Sequence, residues 1–297
     1  MRIALACLAL LIAAPALGEP LPASIAADPP QDRANPATLT AFALPTKGVK
    51  INAVFFRAAG AGKHPTVLLL HGLPGNEQNL DLARAIQREG WNVLTLHYRG
   101  SWGSPGQFSF AHVVEDGQAA VAWLRDANTN EAVHIDATKI AVIGHSMGGF
   151  VTAWVAGHDP DLLGAGLISA ANMGARGAAT PKAQLAKFMD DNIGASIGMH
   201  TVNVSPEALA DEAIRSGKDW NSLDWAPAMA KHPLLIVSSN DGGKANADAL
   251  GAAVTAAGGA PTRVHLETDH SYNDQRIALE AVVIRWLENL PGAPAGL

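Results

Sequence analysis

Six short and uniformly apolar runs recur along the chain, and they constrain its fold more than any other feature. They read TVLLLHG, WNVLTLHY, KIAVIGHS, GAGLISAAN, PLLIVSSND and TRVHLETDH. Strands with this pattern are covered on both faces, because a strand with one face in water alternates apolar and polar residues. The segments between the runs have helical periodicity, as in residues 114–125 and 274–290. The sequence therefore predicts the α/β class, with a mostly parallel central sheet flanked by helices. Residues 38–56 add an antiparallel hairpin at one edge.

The N-terminus has the pattern of a cleavable signal peptide. Arg2 gives a positive start, residues 3–17 are almost wholly apolar, and the small residues Ala16 and Gly18 suit a signal peptidase. A buried N-terminal helix is the alternative, whereas the apolar run is too short to favour a membrane span. We predict a signal peptide at 1–18, a Pro- and Ala-rich spacer at 19–36 and one domain at 37–297. The protein is then expected to be periplasmic or secreted.

The composition excludes several classes of function. Cys7 is the only cysteine and lies inside the predicted signal peptide, so a cysteine nucleophile and a thiolate metal site are excluded in the mature chain. The 27 acidic and 21 basic residues include no run of Lys or Arg, which argues against nucleic acid or an anionic membrane as a partner. Metal-binding, P-loop and dinucleotide motifs are missing from the sequence. We therefore predict no cofactor, no metal and no stable membrane insertion after signal cleavage. The expected partner is a small-molecule substrate, and the oligomeric state stays open.

Residues 173–231 interrupt the alternation of strands and helices. This segment follows the run that ends near Ala170, contains no good strand and has the pattern of several short helices. An insertion at this point would lie over the carboxyl ends of the strands, where open α/β sheets bind ligands. We predict a helical cap over a binding site, with extra packing on the flank of the domain as the alternative.

The segment GHSMG, residues 144–148, places a serine between a predicted strand and a predicted helix. A G-x-S-x-G element in this context holds a nucleophilic serine on a strained turn, and glycines let the helix pack close to the strand. The alternative is a small residue that only fills the turn. We predict that Ser146 is a catalytic nucleophile, which then needs a histidine base and an acid to orient that base.

His270 and Asp241 fit these two roles by their position. In chains with this serine element the acid follows the serine and the histidine comes last. Asp241 comes directly after the run PLLIVSSN, and His270 follows the last apolar run. A turn aspartate and a surface-loop histidine are the alternatives. Asp248, predicted to lie within the next helix, and Asp269, expected to stabilise its loop, are less suitable acids.

An oxyanion hole is predicted from two backbone N–H groups. The stretch HGLPG, residues 71–75, follows the strand TVLLL, so the N–H of Leu73 can pair with that of Met147, the residue after the serine. His71 is expected to be a structural hydrogen-bonding residue. Trp102, Trp220 and Trp225 suit either a substrate pocket or the core.

Together these segments resemble the α/β-hydrolase superfamily. HGLPG, YRGSWGSPG, GHSMGG, Asp241 and His270 occur in the order of that family. The loop RGSWGSPGQFSF, residues 99–110, is similar to the branch with dienelactone hydrolases, small esterases and the catalytic domains of prolyl-oligopeptidase-like peptidases. The resemblance implies an α/β-hydrolase fold and a serine hydrolase acting on carboxylic esters through an acyl-enzyme. A peptidase for short peptides or aminoacyl amides with the same triad, and a non-catalytic ligand-binding protein, are the alternatives.

Overall fold

Eight strands form one sheet in the computed structural model, which describes residues 20–126, 133–199 and 201–294. The predicted signal peptide, residues 1–18, lies outside the described residues. The strands are Thr38–Thr46 (β1), Val49–Arg57 (β2), His64–Leu70 (β3), Asn92–Leu96 (β4), Ile135–His145 (β5), Gly164–Ile168 (β6), Leu234–Ser238 (β7) and Thr262–His265 (β8).

The order of the strands confirms the predicted architecture. Across the sheet they run β1-β2-β4-β3-β5-β6-β7-β8, and β3 to β8 are parallel to one another. The predicted hairpin is also confirmed, because β1 and β2 pair antiparallel at one edge. Each of the six apolar runs contains one of the strands β3 to β8, or most of it. The parallel strands therefore end at the same edge, and the loops that follow them meet there.

Ten α-helices accompany the sheet within the described residues. They are Ala23–Ala26 (α1), Leu80–Arg88 (α2), Phe110–Arg125 (α3), Met147–His158 (α4), Met173–Ala179 (α5), Lys182–Ile193 (α6), Pro206–Ser216 (α7), Ala226–Met229 (α8), Lys244–Ala256 (α9) and Arg276–Glu288 (α10). None of the helices in this part of the chain combines the length and the hydropathy that crossing a membrane requires.

The core consists of two layers, one on each face of the sheet. In β3, Leu68 and Leu70 belong to the layer that contains α3 and α4, whereas Val67 and Leu69 belong to the layer that contains α2 and α10. All four side chains are almost fully buried. Burial on both faces explains why residues 67–70 of this strand are all apolar.

Two segments differ from the sequence-based expectation. The predicted spacer contains α1, where Ser24 is fully buried and its carbonyl accepts a hydrogen bond from Arg88, so residues of this segment pack on the domain. Helical periodicity places Ile277 on the same face of α10 as the buried Ala281 and Ile284, but Ile277 is 58% exposed. Residue 277 lies in the first turn of the helix, where residues 273–278 are all exposed or half-buried.

The segment predicted to form a cap is helical. It contains α5 to α8 and the short 3-10 helices Ala195–Ile197 and Ser222–Trp225. Its described residues include no strand, and a single β-bridge joins Val202 to Ser101. Helix α5 packs closely on α7, since a Cβ at Gly177 would lie 2.1 Å from the Ala213 carbonyl oxygen. This backbone contact explains the glycine, because any side chain there would separate the two helices.

Candidate active site

Ser146 occupies a strained turn between β5 and α4. Its φ of 56° and ψ of −115° are rare for a residue with a side chain. The next turn of helix comes very close to β3, because a Cβ at Gly148 would lie 2.2 Å from the Leu70 carbonyl oxygen. The small residues of GHSMG therefore allow a close approach of helix and strand, and the turn raises the serine above the end of the sheet.

The register of the sheet brings the HGLPG loop next to Ser146. Leu70 pairs with Gly144 across β3 and β5, so the residues that follow each strand are neighbours. A Cβ at Gly72 would lie 2.9 Å from the Ser146 Cβ. Leu73, Ser146 and Met147 line one cavity. Among the described residues, the backbone N–H groups of Leu73 and Met147 have no hydrogen-bond acceptor, so both are available to a ligand.

His71 lies under this loop in a structural position, as expected. It is buried, and its Nδ1–H donates to the Gly72 carbonyl oxygen at 2.7 Å. Burial is the main reason why the pKa of His71 falls to about 4. The imidazole is therefore neutral near pH 7 and supports the loop without adding a charge.

Asp241 and His270 form a direct pair at the ends of β7 and β8. His270 Nδ1 lies 2.6 Å from Asp241 Oδ2, and the side chains are 46% and 9% exposed, respectively. The carboxylate can only accept, so Nδ1 carries the proton and Nε2 is free to accept a proton from a substrate or a hydroxyl. The structure thus brings together the two residues that sequence order selects.

The surroundings of Asp241 keep its carboxylate ionised. Burial raises the pKa of this group, but opposing interactions are stronger and lower the pKa to about 2. These are hydrogen bonds from His270, the Gly243 N–H and the Ser169 hydroxyl, together with the nearby charge of His270. At neutral pH the negative charge is therefore fixed next to the imidazole, where it accepts the Nδ1–H and orients the ring.

His145 connects the Ser146 turn to the His270 loop. Its Nε2–H donates to the His270 carbonyl oxygen at 2.8 Å, and the two imidazole rings lie 4.7 Å apart between centroids. Burial and the nearby His270 lower the pKa of His145 to about 4. Within the described part of the chain, the Ser146 hydroxyl makes no hydrogen bond to His270 or to any other residue, and Ser146 lines the cavity. Such contacts often form only with a substrate bound.

Sequence reasoning missed a set of hydroxyl groups that lies behind Asp241. Ser169 Oγ is 2.9 Å from both Ser239 Oγ and Tyr272 OH, and Tyr272 is fully buried. Burial raises the pKa of Tyr272 to about 12, so the phenol stays protonated and can donate. These residues follow β6, β7 and β8, and their position at strand ends is the signal that could have found them.

The other acid and histidine candidates lie elsewhere. Asp248 pairs with Lys244 and Arg263, and Asp269 accepts hydrogen bonds from its own loop, as expected for both residues. The remaining histidines after Ser146 are held in other contacts or lie outside the described residues: His158 stacks on Trp154, His232 contacts the Leu162 carbonyl, His265 contacts Ser238, and His200 is not described.

Trp220 and Trp225 fit the core interpretation better than the pocket interpretation, whereas Trp102 fits neither. The rings of Trp220 and Trp225 lie 5.5 and 6.1 Å from that of Phe150, which is fully buried. Trp102 is 39% exposed, and its Nε1–H donates to the Pro74 carbonyl oxygen. None of the three lines the cavity at Ser146.

The cap provides much of the wall of that cavity. Its volume is about 40 Å³, and it is lined on the cap side by Arg176, Phe188, Met189 and Asn192. Ser146, the N–H donors Leu73 and Met147, and the helices α5 and α6 thus face the same small space, whose lining does not include Asp241 or His270.

Comparisons with known proteins agree with the fold. Residues 65–195 match the model of the alpha/beta hydrolase fold family. The chain is 33% identical over 120 residues to alpha/beta hydrolase domain-containing protein WAV2 of Arabidopsis thaliana, covering 40% of this chain and 37% of that protein. It is 31% identical over 120 residues to acylamino-acid-releasing enzyme 2 of Oryza sativa subsp. japonica, covering 37% of this chain and 15% of that protein. The chain therefore spans well under half the length of these relatives.

Solved structures share the fold at low sequence identity. The carboxylesterase EstE1 from a metagenomic library aligns with a TM-score of 0.56 and 20% identity, covering 84% of this chain and 90% of that one. The acylaminoacyl peptidase of Pyrococcus horikoshii aligns with a TM-score of 0.64 and 13% identity, covering 88% of this chain and 43% of that one. Nearly the whole described chain thus has the architecture of these enzymes.

Proposed function

Because this chain is a member of the α/β-hydrolase superfamily, we propose that it is an exported serine hydrolase that cleaves carboxylic esters. The observation that carries the proposal is the 2.6 Å hydrogen bond between Asp241 and His270. This pair lies beside a serine on a strained strand-to-helix turn. A nucleophile, a base and an orienting acid are the groups that acyl transfer needs.

In the proposed reaction, Ser146 Oγ attacks the ester carbonyl and its proton passes to His270 Nε2. Asp241 holds the imidazole in the correct tautomer and stabilises the imidazolium. The N–H groups of Leu73 and Met147 donate to the oxyanion of the tetrahedral intermediate. Its collapse breaks the ester C–O bond, and His270 returns the proton to the leaving alcohol. Water then attacks the acyl-enzyme with the same proton transfers, which releases the acid and regenerates Ser146.

The cap is proposed to control which substrates reach Ser146. Ligand pockets have volumes of roughly 300–1,000 Å³, whereas the cavity under α5 and α6 holds about 40 Å³. A space this small favours short acyl groups, and longer ones would require the cap helices to move. Replacing residues 173–231 by a short loop should therefore leave a folded core with altered acyl preference. An unfolded product, or an unchanged preference, would contradict a lid function.

Peptidase activity is the second candidate, because the chain resembles two acylamino-acid-cleaving enzymes. The same residues would act by the same steps, with an amine as the leaving group. A panel of chromogenic esters and aminoacyl anilides separates the two activities. We expect the esters to be cleaved faster, and faster turnover of the anilides would favour the peptidase.

Labelling by a fluorophosphonate probe tests the enzymatic function directly. The probe should modify wild-type protein at the peptide that contains Ser146, and Ser146→Ala should abolish the labelling. Asp248→Asn is a matched control that should label normally, since Asp248 pairs with Lys244 and Arg263 away from the cavity. Folded wild-type protein that resists the probe would favour a non-catalytic binding protein.

Export is proposed from the N-terminal pattern alone. N-terminal sequencing of the protein purified from its native host should begin near Glu19. Recovery of the unprocessed chain from the cytoplasm would contradict this part of the proposal.

A further inference from the structure

Arg176 is a positive charge in an otherwise apolar part of the cavity. It lies in α5 of the cap, half-buried, and lines the same cavity as Ser146 and Met147. The guanidinium carbon lies 4.2 Å from the centroid of the Phe188 ring. Stacking on an aromatic face holds a guanidinium in place and leaves its N–H groups free at the edges.

Within the described residues, this guanidinium has no ion pair and no hydrogen bond. Arg99 shows the contrast, because its side chain contacts Asp116 at 2.7 Å and Glu115 at 2.5 Å. Burial lowers the pKa of Arg176, and the charge of Asp241 offsets only part of this decrease. A charge that is removed from water without a partner costs stability, so an arginine in this position calls for an anion.

The rest of the lining indicates which anion fits. Arg176 is the one cationic residue among those that line the cavity, and Asn192 the one amide; the Asn192 Nδ2–H already donates to the Phe188 carbonyl oxygen. A single guanidinium matches a singly charged carboxylate through two parallel hydrogen bonds. A phosphate dianion would need a second cationic residue, which the lining does not provide.

We infer that the substrate is an ester that also carries a carboxylate, and that Arg176 binds this carboxylate. The inference rests on the proposed function, since it assigns a substrate class to the same cavity. Arg176 then selects among esters without taking part in proton transfer, and it orients the ester carbonyl towards Ser146.

Two pairs of esters test this inference, one for each possible side of the carboxylate. The acyl-side pair is the mono-4-nitrophenyl ester of adipic acid and its methyl-capped neutral counterpart. The alcohol-side pair is 4-acetoxybenzoate and its methyl ester. Values of kcat/KM are measured for the wild type, Arg176→Met, Arg176→Lys and Arg215→Met. Arg215 is a suitable control because it is an exposed arginine of the same cap that lines a different cleft.

In at least one pair, the wild type should prefer the carboxylate-bearing ester. Arg176→Met should lower kcat/KM for that ester by about 10- to 100-fold, the usual effect of losing hydrogen bonds to a charged group. The neutral ester should change by less than about twofold. Arg176→Lys should retain part of the preference, and Arg215→Met should retain all of it.

Four results would overturn the inference. Equal losses for charged and neutral esters would show that Arg176 only supports the cap. If Arg176→Met leaves the ratio of kcat/KM between the charged and the neutral ester unchanged in both pairs, Arg176 binds no carboxylate. If neither ester is hydrolysed and the fluorophosphonate probe leaves Ser146 unlabelled, the proposed function fails, and the inference fails with it. Ser146-dependent hydrolysis of the neutral esters without a carboxylate preference refutes the inference alone.

Discussion

The sheet and the cap of this protein are built in opposite ways. Every residue of β4, β6 and β7 is buried, and the loops that carry Ser146, Asp241 and His270 begin at strand ends. The cap is a thin layer in which α6 buries only three of its twelve residues. It leaves Phe188 38% exposed and Ile197 78% exposed.

The difference in packing suits the sheet and the cap to different tasks. Close packing on both faces holds the strand ends in one arrangement, which suits groups that must meet within hydrogen-bond distance. A thin layer with few buried side chains can shift or change at small cost in stability. We therefore propose that the sheet determines which reaction is possible and that the cap determines which molecules undergo it. The following changes test that division.

Removing the proposed nucleophile should have the largest effect. Ser146→Ala is expected to lower kcat for a 4-nitrophenyl ester by roughly 10³- to 10⁶-fold, because alanine fits the turn but cannot form the acyl-enzyme. His270→Ala should be about as damaging, and the double mutant should add little, since serine and base act as one unit. Circular dichroism should show native folding in all three variants. A folded Ser146→Ala protein with near-normal turnover would refute the mechanism.

A smaller loss is expected when only the orienting acid is altered. Asp241→Asn keeps the shape of the side chain but removes the charge beside His270 Nδ1, so the wrong tautomer becomes accessible. The loss in kcat should be at least about tenfold smaller than that of Ser146→Ala. Asp248→Asn serves as the control and should be nearly silent in the same ester assay. If Asp241→Asn were nearly silent and Asp248→Asn were damaging, Asp248 would be the orienting acid.

Two phenylalanines compare the stability of the regions directly. Phe150 is fully buried in α4, whereas Phe188 is 38% exposed in α6. Phe150→Ala should lower the free energy of unfolding by about 3–5 kcal/mol, through lost burial and a cavity. Phe188→Ala should cost less than about 1 kcal/mol and should instead change the ratio of kcat/KM between short and long acyl esters. Urea denaturation and ester kinetics on both variants check this, and similar stability losses would remove the distinction between sheet and cap.

The smallest expected effect is the contribution of Asp241 to the pH dependence of the free energy of unfolding. The pKa of Asp241 is about 2 in the folded protein against 3.8 for a free side chain, so its ionised form stabilises the fold. This contribution is complete above the unfolded-state pKa and is lost as the pH falls from about 4 through 2. The difference in free energy of unfolding between wild type and Asp241→Asn should thus be constant above about pH 5 and shrink below pH 4. If the difference in free energy of unfolding did not depend on pH, the hydrogen bonds that Asp241 accepts from His270 and Gly243 would add nothing to stability.

Sequence patterns were sufficient for the features that local rules determine. Apolar runs locate β3 to β7 because burial on both faces leaves few polar positions, and GHSMG locates the turn because only small residues allow the Gly148 contact with Leu70. The last run also contains a strand, but Thr262 and Arg263 of β8 are exposed, since this strand lies at the edge of the sheet. Chain order then selected Asp241 and His270, which the structure places in contact. Each of these predictions depended on a short stretch of sequence whose pattern allows only one local structure.

Features that depend on contacts between distant segments could not be read from the sequence. Nothing in residues 19–36 indicates that Ser24 is buried against the domain. Likewise, Arg176 and Phe188 are twelve positions apart in a segment without strands, and only the packing of α5 and α6 places them at one cavity. The hydroxyl group of Tyr272 meets Ser169 across a separation of 103 residues, which no local pattern encodes.

The hydrogen bond from His145 to the His270 carbonyl has a consequence for how this protein can evolve. The loop after β8 is held through its main chain, so its position does not depend on which side chain stands at residue 270. Under the proposed mechanism, a single substitution there would end catalysis and still leave this bond between the two loops in place. An enzyme of the proposed design would thus be one step away from a receptor that keeps its ligand intact, and gene duplication would allow both forms to persist.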